Sequence, residues 1–424
     1  MKQIRQIFKK LLILQLKTTN FEVFSLIGSL PPANEKLISV PHVDEIRHDE
    51  LIINTSFLPD LNFHNQTLYT MKAILNPVGK FLFFLSVILL SQANSFAQKK
   101  QYQISCVGFY NLENLFDTID DPEKRDEEYT PEGKKKWNEE KYQDKLFNMA
   151  HVISLIGKDG CKEGISVLGV CEIENRKVME DLVKQPALAD RNLQIVHHSS
   201  PDKRGIDVGL LYNPDKFELI ESKSFRLNAF KETGDTLFTR DQLLVTGLLN
   251  KERIHVIVNH WPSRAGGEKV SRPNRNKAAQ LCRSIADSIT KSEPKAKIFI
   301  MGDLNDDPTN DSVKKFIKTK ANKKQMKEGF FYNPWENMLK KGFGTLAYRD
   351  SWNLFDQILI SNPLVDKTTE GYHLYQAKIF RKKFMVQADG RYKGYPKRTF
   401  SFGKYNSGYS DHFPTYVYLV KEIR

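Results

Sequence analysis

The chain has 424 residues, 40% of them apolar and 11% aromatic, which gives room for one large domain or two ordinary ones and excludes a disordered polymer. Its formal charge of +13 fits a polyanionic partner such as nucleic acid, or an anionic membrane surface; charge alone selects neither.

Taken from the N-terminus, residues 1–70 carry no usable motif. Met71 then opens "MKAILNPVGKFLFFLSVILLSQANSFAQKK". Lys72 and Lys80 supply a positive leader, Phe81 to Leu90 an apolar stretch too short to span a bilayer, and Ser95-Phe96-Ala97 a small-x-small cleavage pattern. These features predict a secretory signal peptide over 71–97, cleaved after Ala97, and so a secreted or periplasmic protein without stable membrane insertion. The alternative is a buried helix or a membrane anchor. Because a signal belongs at the start of a chain, Met71 is expected to be the true start and 1–70 a disordered, non-native extension. Residues 98–424 keep 55 Lys/Arg against 44 Asp/Glu, so the basic character belongs to the mature part.

Cys106, Cys161, Cys171 and Cys282 all lie in the mature part, and none forms a CxxC or a zinc-type spacing with histidine. Cys106 and Cys171 stand in apolar runs and read as buried thiols. An oxidising compartment permits a disulfide, but spacing does not choose partners.

Short β-type runs recur at 104–110, 165–171, 207–212, 243–249, 253–260, 297–302, 356–361 and 415–420. Most are continuous rather than alternating, so both faces should be covered. Helical spacing links Tyr142, Leu146, Met149, Ile153 and Ile156, and again Ala278, Leu281, Ile285 and Ile289. This order predicts α/β or α+β layers in one domain over 98–424, with the acidic stretch 117–128 and the basic, Gly/Tyr-rich stretch 381–408 as surface loops.

The strand ends carry the chemistry. "KIFIMGDLNDDP" breaks from an apolar run into Asp303 and Asn305. Run 104–110 leads into Asn111, 165–171 into Glu172 and 253–259 into His260; Asp356 opens one run, and Asp411-His412 precede the last. A lone "GDLND" is more simply a turn, since Asp and Asn bond their own backbone. Six strand ends alike argue for one convergent site. Carboxylate and amide oxygens are hard ligands, so Glu172, Asn111 and Asp411 suit Mg²⁺ or Mn²⁺ better than zinc. Asp303 could accept a proton from water and Asn305 could bond a phosphoryl oxygen. His260 and His412 could donate to phosphate or transfer protons, each needing a carboxylate to fix its tautomer.

In this order, Asn111, Glu172, His260, "GDLND" (302–306), Asp356 and "SDH" (410–412) resemble the endonuclease/exonuclease/phosphatase superfamily over about 104–420. "GIDVGLLYNP", "NHWPSR" and "YNPWENMLKKGFGTLAYRDSWNLFDQILIS" are similar to its secreted bacterial endonuclease-like members. The resemblance implies a four-layered sandwich, two mixed, mostly antiparallel sheets face to face with helices outside. It implies Glu172 as main metal ligand with Asn111 beside it and Asp411 nearby. It implies Asp303 aligning water, Asn305 on phosphate, His412 on the scissile phosphate oriented by Asp356, and His260 as the second phosphate-facing histidine. Arg240 in "FTRDQ" resembles an arginine that touches a backbone phosphate.

The other residues have plainer readings beside them. Asp207 is as readily a strand-edge carboxylate as a functional one, and Glu113 and Glu174 read as solvent-facing or supporting. Arg264, Arg272 and Arg275 lie in the loop "PSRAGGEKVSRPNR", where they either clamp phosphate or solvate the loop. Trp137, Trp261, Trp335 and Trp352 read as core or loop anchors. The superfamily spans several phosphate esters. The favoured expectation is a secreted, monomeric, Mg²⁺-dependent endonuclease on DNA or RNA; the alternative is a phosphodiesterase or phosphatase for lipid headgroups or small esters.

Overall fold

The computed structural model describes residues 100–423, apart from residue 232. The signal segment 71–97 and the stretch before it lie outside the described residues. No described helix is long and apolar enough to cross a membrane.

In chain order the principal elements are β1 Gln101–Leu115, α1 Glu139–Leu155, β2 Val167–Ile173, α2 Arg176–Val183, α3 Pro186–Ala189, β3 Gln194–His197, β4 Asp207–Tyr212, β5 Phe217–Phe225, β6 Gln242–Leu249 and β7 Glu252–His260. They continue with α4 Glu268–Ser292, β8 Ile298–Asp303, β9 Thr319–Lys320, β10 Phe331–Tyr332, α5 Trp335–Lys340, β11 Asp356–Ser361, β12 His373–Ile379 and β13 Thr415–Ile423. A six-stranded sheet runs β12-β13-β1-β2-β4-β3 and a seven-stranded sheet runs β9-β10-β11-β8-β7-β6-β5. Each sheet is mostly antiparallel around a central parallel pair, β1 with β2 and β7 with β8, and the short β9 and β10 at one end of the larger sheet are parallel too.

Alternation along the strands decides the layers. From β1, Val107 and Phe109 face the other sheet and pack with Val258, Phe299 and Met301, while Cys106 and Tyr110 face outward under Leu146, Met149 and Ile153 of α1. On the second sheet, Ile257, Ile298 and Ile300 face outward and are covered by Ala278, Cys282 and Ile285 of α4. Three apolar interfaces therefore separate four layers, helix, sheet, sheet, helix, as expected. Continuous apolar strands are required here because both faces of each central strand are covered.

Two expectations need correction. The strands run longer than the apolar runs: β1 continues through Asn111 to Leu115, and β2 includes Glu172. The stretch carrying Arg272 and Arg275 is helix rather than flexible loop, because α4 begins at Glu268. Pro273 removes only one helical hydrogen bond there, and Glu268 pairs with Arg272 at 2.7 Å and Arg275 at 3.5 Å. The four cysteines are free and buried.

Candidate active site

Register brings the polar strand ends together. On the seven-stranded sheet Asp303 pairs with His260 of β7 on one side and Asp356 of β11 on the other, so three of the expected site residues stand in one row. Gly302 makes this row possible: a Cβ there would lie 2.2 Å from the carbonyl oxygen of Asn259 on β7.

On the six-stranded sheet a bulge aims the key carboxylate. The β1/β2 ladder stops at Asn111–Cys171 and resumes at Leu115–Ile173, while the β2/β4 ladder passes from Cys171–Val208 to Ile173–Asp207. Glu172 is skipped by both ladders and has φ 58°, a conformation uncommon for a non-glycine residue. Its Oε2 accepts from the backbone N–H of Asn114 at 3.0 Å. Asn305 is held in the same left-handed region, φ 49°. Its N–H donates to Asp303 Oδ1 at 2.9 Å, and its side-chain amide donates to Trp261 O at 3.0 Å. Such backbone strain persists where surrounding structure holds it, commonly at functional sites.

The third contribution comes from the loop before β13. Ser410 Oγ donates to Asn111 O at 2.7 Å and accepts from the His412 N–H at 3.0 Å, tying this loop to β1. His412 Nδ1 is then 2.7 Å from Asp356 Oδ2, with both side chains buried. Its Nε2 lies 3.9 Å from Asp303 Oδ2 and 3.9 Å from Asp411 Oδ1. His260 Nε2 lies 3.8 Å from Glu172 Oε1 and 3.7 Å from Asp303 Oδ2. The Asn111 amide nitrogen sits between the two acids, 3.3 Å from Glu172 Oε1 and 3.1 Å from Asp303 Oδ2. Its oxygen instead accepts from Glu113 N at 2.8 Å, so the amide presents its donor, not its ligand oxygen, to the carboxylates.

The histidines differ in charge. Burial disfavours the His412 cation, but the adjacent Asp356 carboxylate, with Asp303 and Asp411, overrides it and holds the imidazole well above its ordinary pKa. His260 is held well below the ordinary value by burial and by the Arg240 guanidinium, so it is neutral despite its two acidic neighbours and makes no ion pair. Burial raises Asp303 to about 7, opposed by His412 and reinforced by Asp356 and Glu172. A carboxyl titrating there is matched to proton transfer near neutral pH.

Two sets of side chains bring possible ligand atoms within 4.8 Å of one another: Glu172, His260 and Asp303, and Asp303, Asp356 and His412. The first fits a divalent cation. It places two carboxylate oxygens beside a neutral imidazole, and the only other donor among the described residues that faces both acids is the Asn111 amide, able to turn its oxygen inward. Asp411 belongs to neither set; its Oδ2 is 2.6 Å from Arg398 Nη2.

The arginines expected on phosphate are engaged elsewhere. Arg275 is fully buried, with Nε 2.7 Å from Asp306 Oδ1, and cannot reach a substrate. Arg240 is buried too: its guanidinium pairs with Asp202 at 3.0 Å and donates to the carbonyls of His260 and Trp261. It supports His260 from below. Arg264 stacks over Phe355 at 4.4 Å and donates to Asn305 O at 2.9 Å, which braces the Asn305 turn. Guanidinium groups placed over strand ends serve carbonyls as well as phosphates, so residue type alone could not separate the two roles.

Of the two readings given to Glu113, solvent-facing or supporting, the second holds: it is buried, accepts from Thr399 N at 2.7 Å and pairs with Arg398 at 3.2 Å and Lys145 at 3.8 Å. Lys145 and Thr345 escape sequence reasoning. Lys145 is fully buried and reaches Thr399 Oγ1 at 2.6 Å. A lysine within the apolar face of α1, beside Tyr142, Leu146 and Met149, was the available signal. Thr345 joins the last two motifs, with its hydroxyl 3.4 Å from Asp356 N and its carbonyl accepting from Phe413 N at 2.8 Å. Asp207 is structural, accepting from Ser200 N at 2.9 Å and meeting His197 Nε2 at 2.9 Å.

Residues 106–421 match the model of the endonuclease/exonuclease/phosphatase family. No curated protein matches the chain. Among solved structures, a humanized TDP2 of D. rerio is 12% identical with TM-score 0.46, covering 74% of this chain and 98% of its own. An endonuclease/exonuclease/phosphatase family protein from Bacteroides thetaiotaomicron is 16% identical with TM-score 0.45, covering 76% and 100%. The human Nocturnin catalytic domain is 14% identical with TM-score 0.42, covering 77% and 98%. The family match spans both sheets and every residue of the site, and the chain belongs to the endonuclease/exonuclease/phosphatase family, whose members are phosphoester hydrolases.

Proposed function

We propose that this protein is an exported, Mg²⁺-dependent endonuclease that hydrolyses DNA or RNA phosphodiester bonds by attack of water. The observation that carries the reading is the setting of one oxygen. Asp303 Oδ2 has the Asn111 amide nitrogen at 3.1 Å, His260 Nε2 at 3.7 Å and His412 Nε2 at 3.9 Å, so proton acceptor and phosphate-binding donors surround a single point.

Roles follow from charge and hydrogen bonding. Asp303 accepts the proton of the attacking water at Oδ2, since its Oδ1 is occupied by the Asn305 N–H. His412, cationic because Asp356 faces its Nδ1, has Nε2–H free to bond a phosphoryl oxygen as negative charge grows there. His260, kept neutral, adds a hydrogen bond without placing a second cation against His412. Glu172 and, after its amide turns, Asn111 would hold the divalent cation, which leaves Asp303 Oδ2 to the attacking water. When bound, that ion supplies Lewis-acid stabilisation of the phosphate charge and leaving oxygen.

Nucleic acid is favoured by the excess of 55 Lys/Arg over 44 Asp/Glu in residues 98–424. Export is favoured by the leader-like segment 71–97. The test is digestion of plasmid, RNA, phospholipid vesicles and nitrophenyl phosphates with added Mg²⁺ or with EDTA. Cleavage of plasmid or RNA that needs Mg²⁺ and falls steeply with salt is expected. Hydrolysis confined to vesicles or nitrophenyl phosphates would overturn the nuclease assignment.

A further inference from the structure

We propose that a row of aromatic rings rising from the catalytic loop is a stacking platform for the unpaired bases of a single-stranded nucleic acid; this rests on the phosphodiesterase reading above. The row begins at Phe413, next to the catalytic His412. Trp352 stacks on Phe413 with centroids 6.2 Å apart and planes at 15°. Tyr395 follows at 6.0 Å from Trp352, Tyr392 at 5.4 Å from Tyr395, and Phe402 at 5.3 Å from Tyr392 with planes at 24°. Exposure grows outward, from fully buried Phe413 through the half-buried tryptophan and tyrosines to Phe402 at 75%.

The platform is built rather than incidental. Trp352 lies on a hairpin over 346–353 whose two-residue turn, Arg349-Asp350, has φ 49° and 62°. That turn normally selects Asn and Gly, and two non-glycine residues hold it only with outside support. Tyr395 provides the support: its hydroxyl donates to Asp350 Oδ1 at 2.7 Å and accepts from Asp350 N at 2.8 Å. At its base the hairpin meets the active site through Thr345, which bonds both Asp356 and Phe413.

Charge identifies the occupant. Arg349 lies over Tyr348 at 5.2 Å and Arg391 over Tyr392 at 5.8 Å, and neither makes an ion pair among the described residues. Lys393 and Lys404 flank the outer rings and are exposed and unpaired among the described residues. Flat rings interleaved with free cations suit flat bases on a phosphate chain, whereas a duplex hides its base faces inside the stack. The inner end of the row, Phe413, adjoins His412 in the chain.

The test is fluorescence anisotropy of the full chain in EDTA, with a ~12-nucleotide oligothymidine, an abasic strand of equal charge and a duplex of equal length. The thymidine strand should bind at least about tenfold tighter than the abasic strand, the effect of roughly one stacked base. Tyr392→Ala with Phe402→Ala should erase that difference, and Tyr392→Phe with Phe402→Tyr should keep it. Equal binding of thymidine and abasic strands by the wild type overturns the platform, whatever the variants do. Hydrolysis of bis(p-nitrophenyl) phosphate by the same wild type separates the two claims. EDTA-sensitive hydrolysis with equal strand affinities removes the platform and leaves the phosphodiesterase reading; no hydrolysis of this ester, plasmid or RNA removes that reading, while the strand affinities still decide the platform.

Discussion

Replacing Asp356 by asparagine takes one negative charge from a buried site while leaving its shape nearly unchanged. Asp356 Oδ2 is 2.7 Å from His412 Nδ1, and both side chains are buried. A charged hydrogen bond of this kind contributes roughly 1.5–3 kcal/mol, and a unit charge pair about 4 Å apart at an effective dielectric near 20 about 4 kcal/mol. If most of this is realised as charge builds on phosphate, kcat/KM for phosphodiester hydrolysis falls by about 10² to 10³. There is a second signature. With Asp356 gone, burial is opposed only by Asp303 and Asp411, so the His412 pKa drops. Activity that needs the imidazolium is lost as pH rises through that pKa, so the basic limb of the pH–rate profile moves to lower pH. Steady-state hydrolysis of plasmid or bis(p-nitrophenyl) phosphate across the pH range measures both effects. A variant within about threefold of wild type, its basic limb unmoved, would refute the role given to this pair.

Other consequences concern the framework. Arg275→Ala takes from fully buried Asp306 its nearer arginine, leaving Arg264 at 3.3 Å and the Ser312 hydroxyl at 2.6 Å, and should lower stability by about 3 kcal/mol, the low end for a broken buried pair, in urea titration. Adding Asp306→Asn should recover much of that loss, because the weakly compensated charge is then gone. Arg240→Ala should destabilise by a similar ~3 kcal/mol, since it leaves buried Asp202 to the more exposed Arg204 at 3.6 Å, and should leave the salt dependence of nucleic acid cleavage unchanged. Burial raises Glu174 to about 8, so its carboxyl is protonated in the fold and ionised in the unfolded chain between about 4.5 and about 8. Stability should therefore fall as pH rises across that window, and Glu174→Gln should raise the urea midpoint at pH 9 but not at pH 4.

The site was more legible in the sequence than the edges of the fold. Asp207–Tyr212 and Asp356–Ser361 form strands with the bounds their apolar runs predict, because strands covered on both faces are written in unbroken apolar residues. The longer strands without such a signal, β3, β5 and β12, each lie at the edge of a sheet, and β9 and β10, of two residues each, are too short to carry one. β5 reads "FELIESKSF" and is mostly exposed, which protects an edge from pairing and erases the periodicity that would reveal it. At the site, the acids, amides and histidines were visible because each interrupts an apolar strand. The bulge at Glu172 was not, since it depends on register with two neighbouring strands. The arginines were misplaced for a related reason. Whether a guanidinium meets a phosphate or a buried Asp202 or Asp306 is decided by tertiary packing.

Convergence of Asn111, Glu172, His260, Asp303, Asp356 and His412 on one cation-dependent reaction is measured most directly by bis(p-nitrophenyl) phosphate hydrolysis as a function of free Mg²⁺, with wild type and Glu172→Gln side by side. The wild type should show saturable Mg²⁺ dependence abolished by EDTA, and the variant should show no turnover at Mg²⁺ that saturates the wild type. Turnover that persists in EDTA, or a variant curve overlying that of the wild type, would contradict the account.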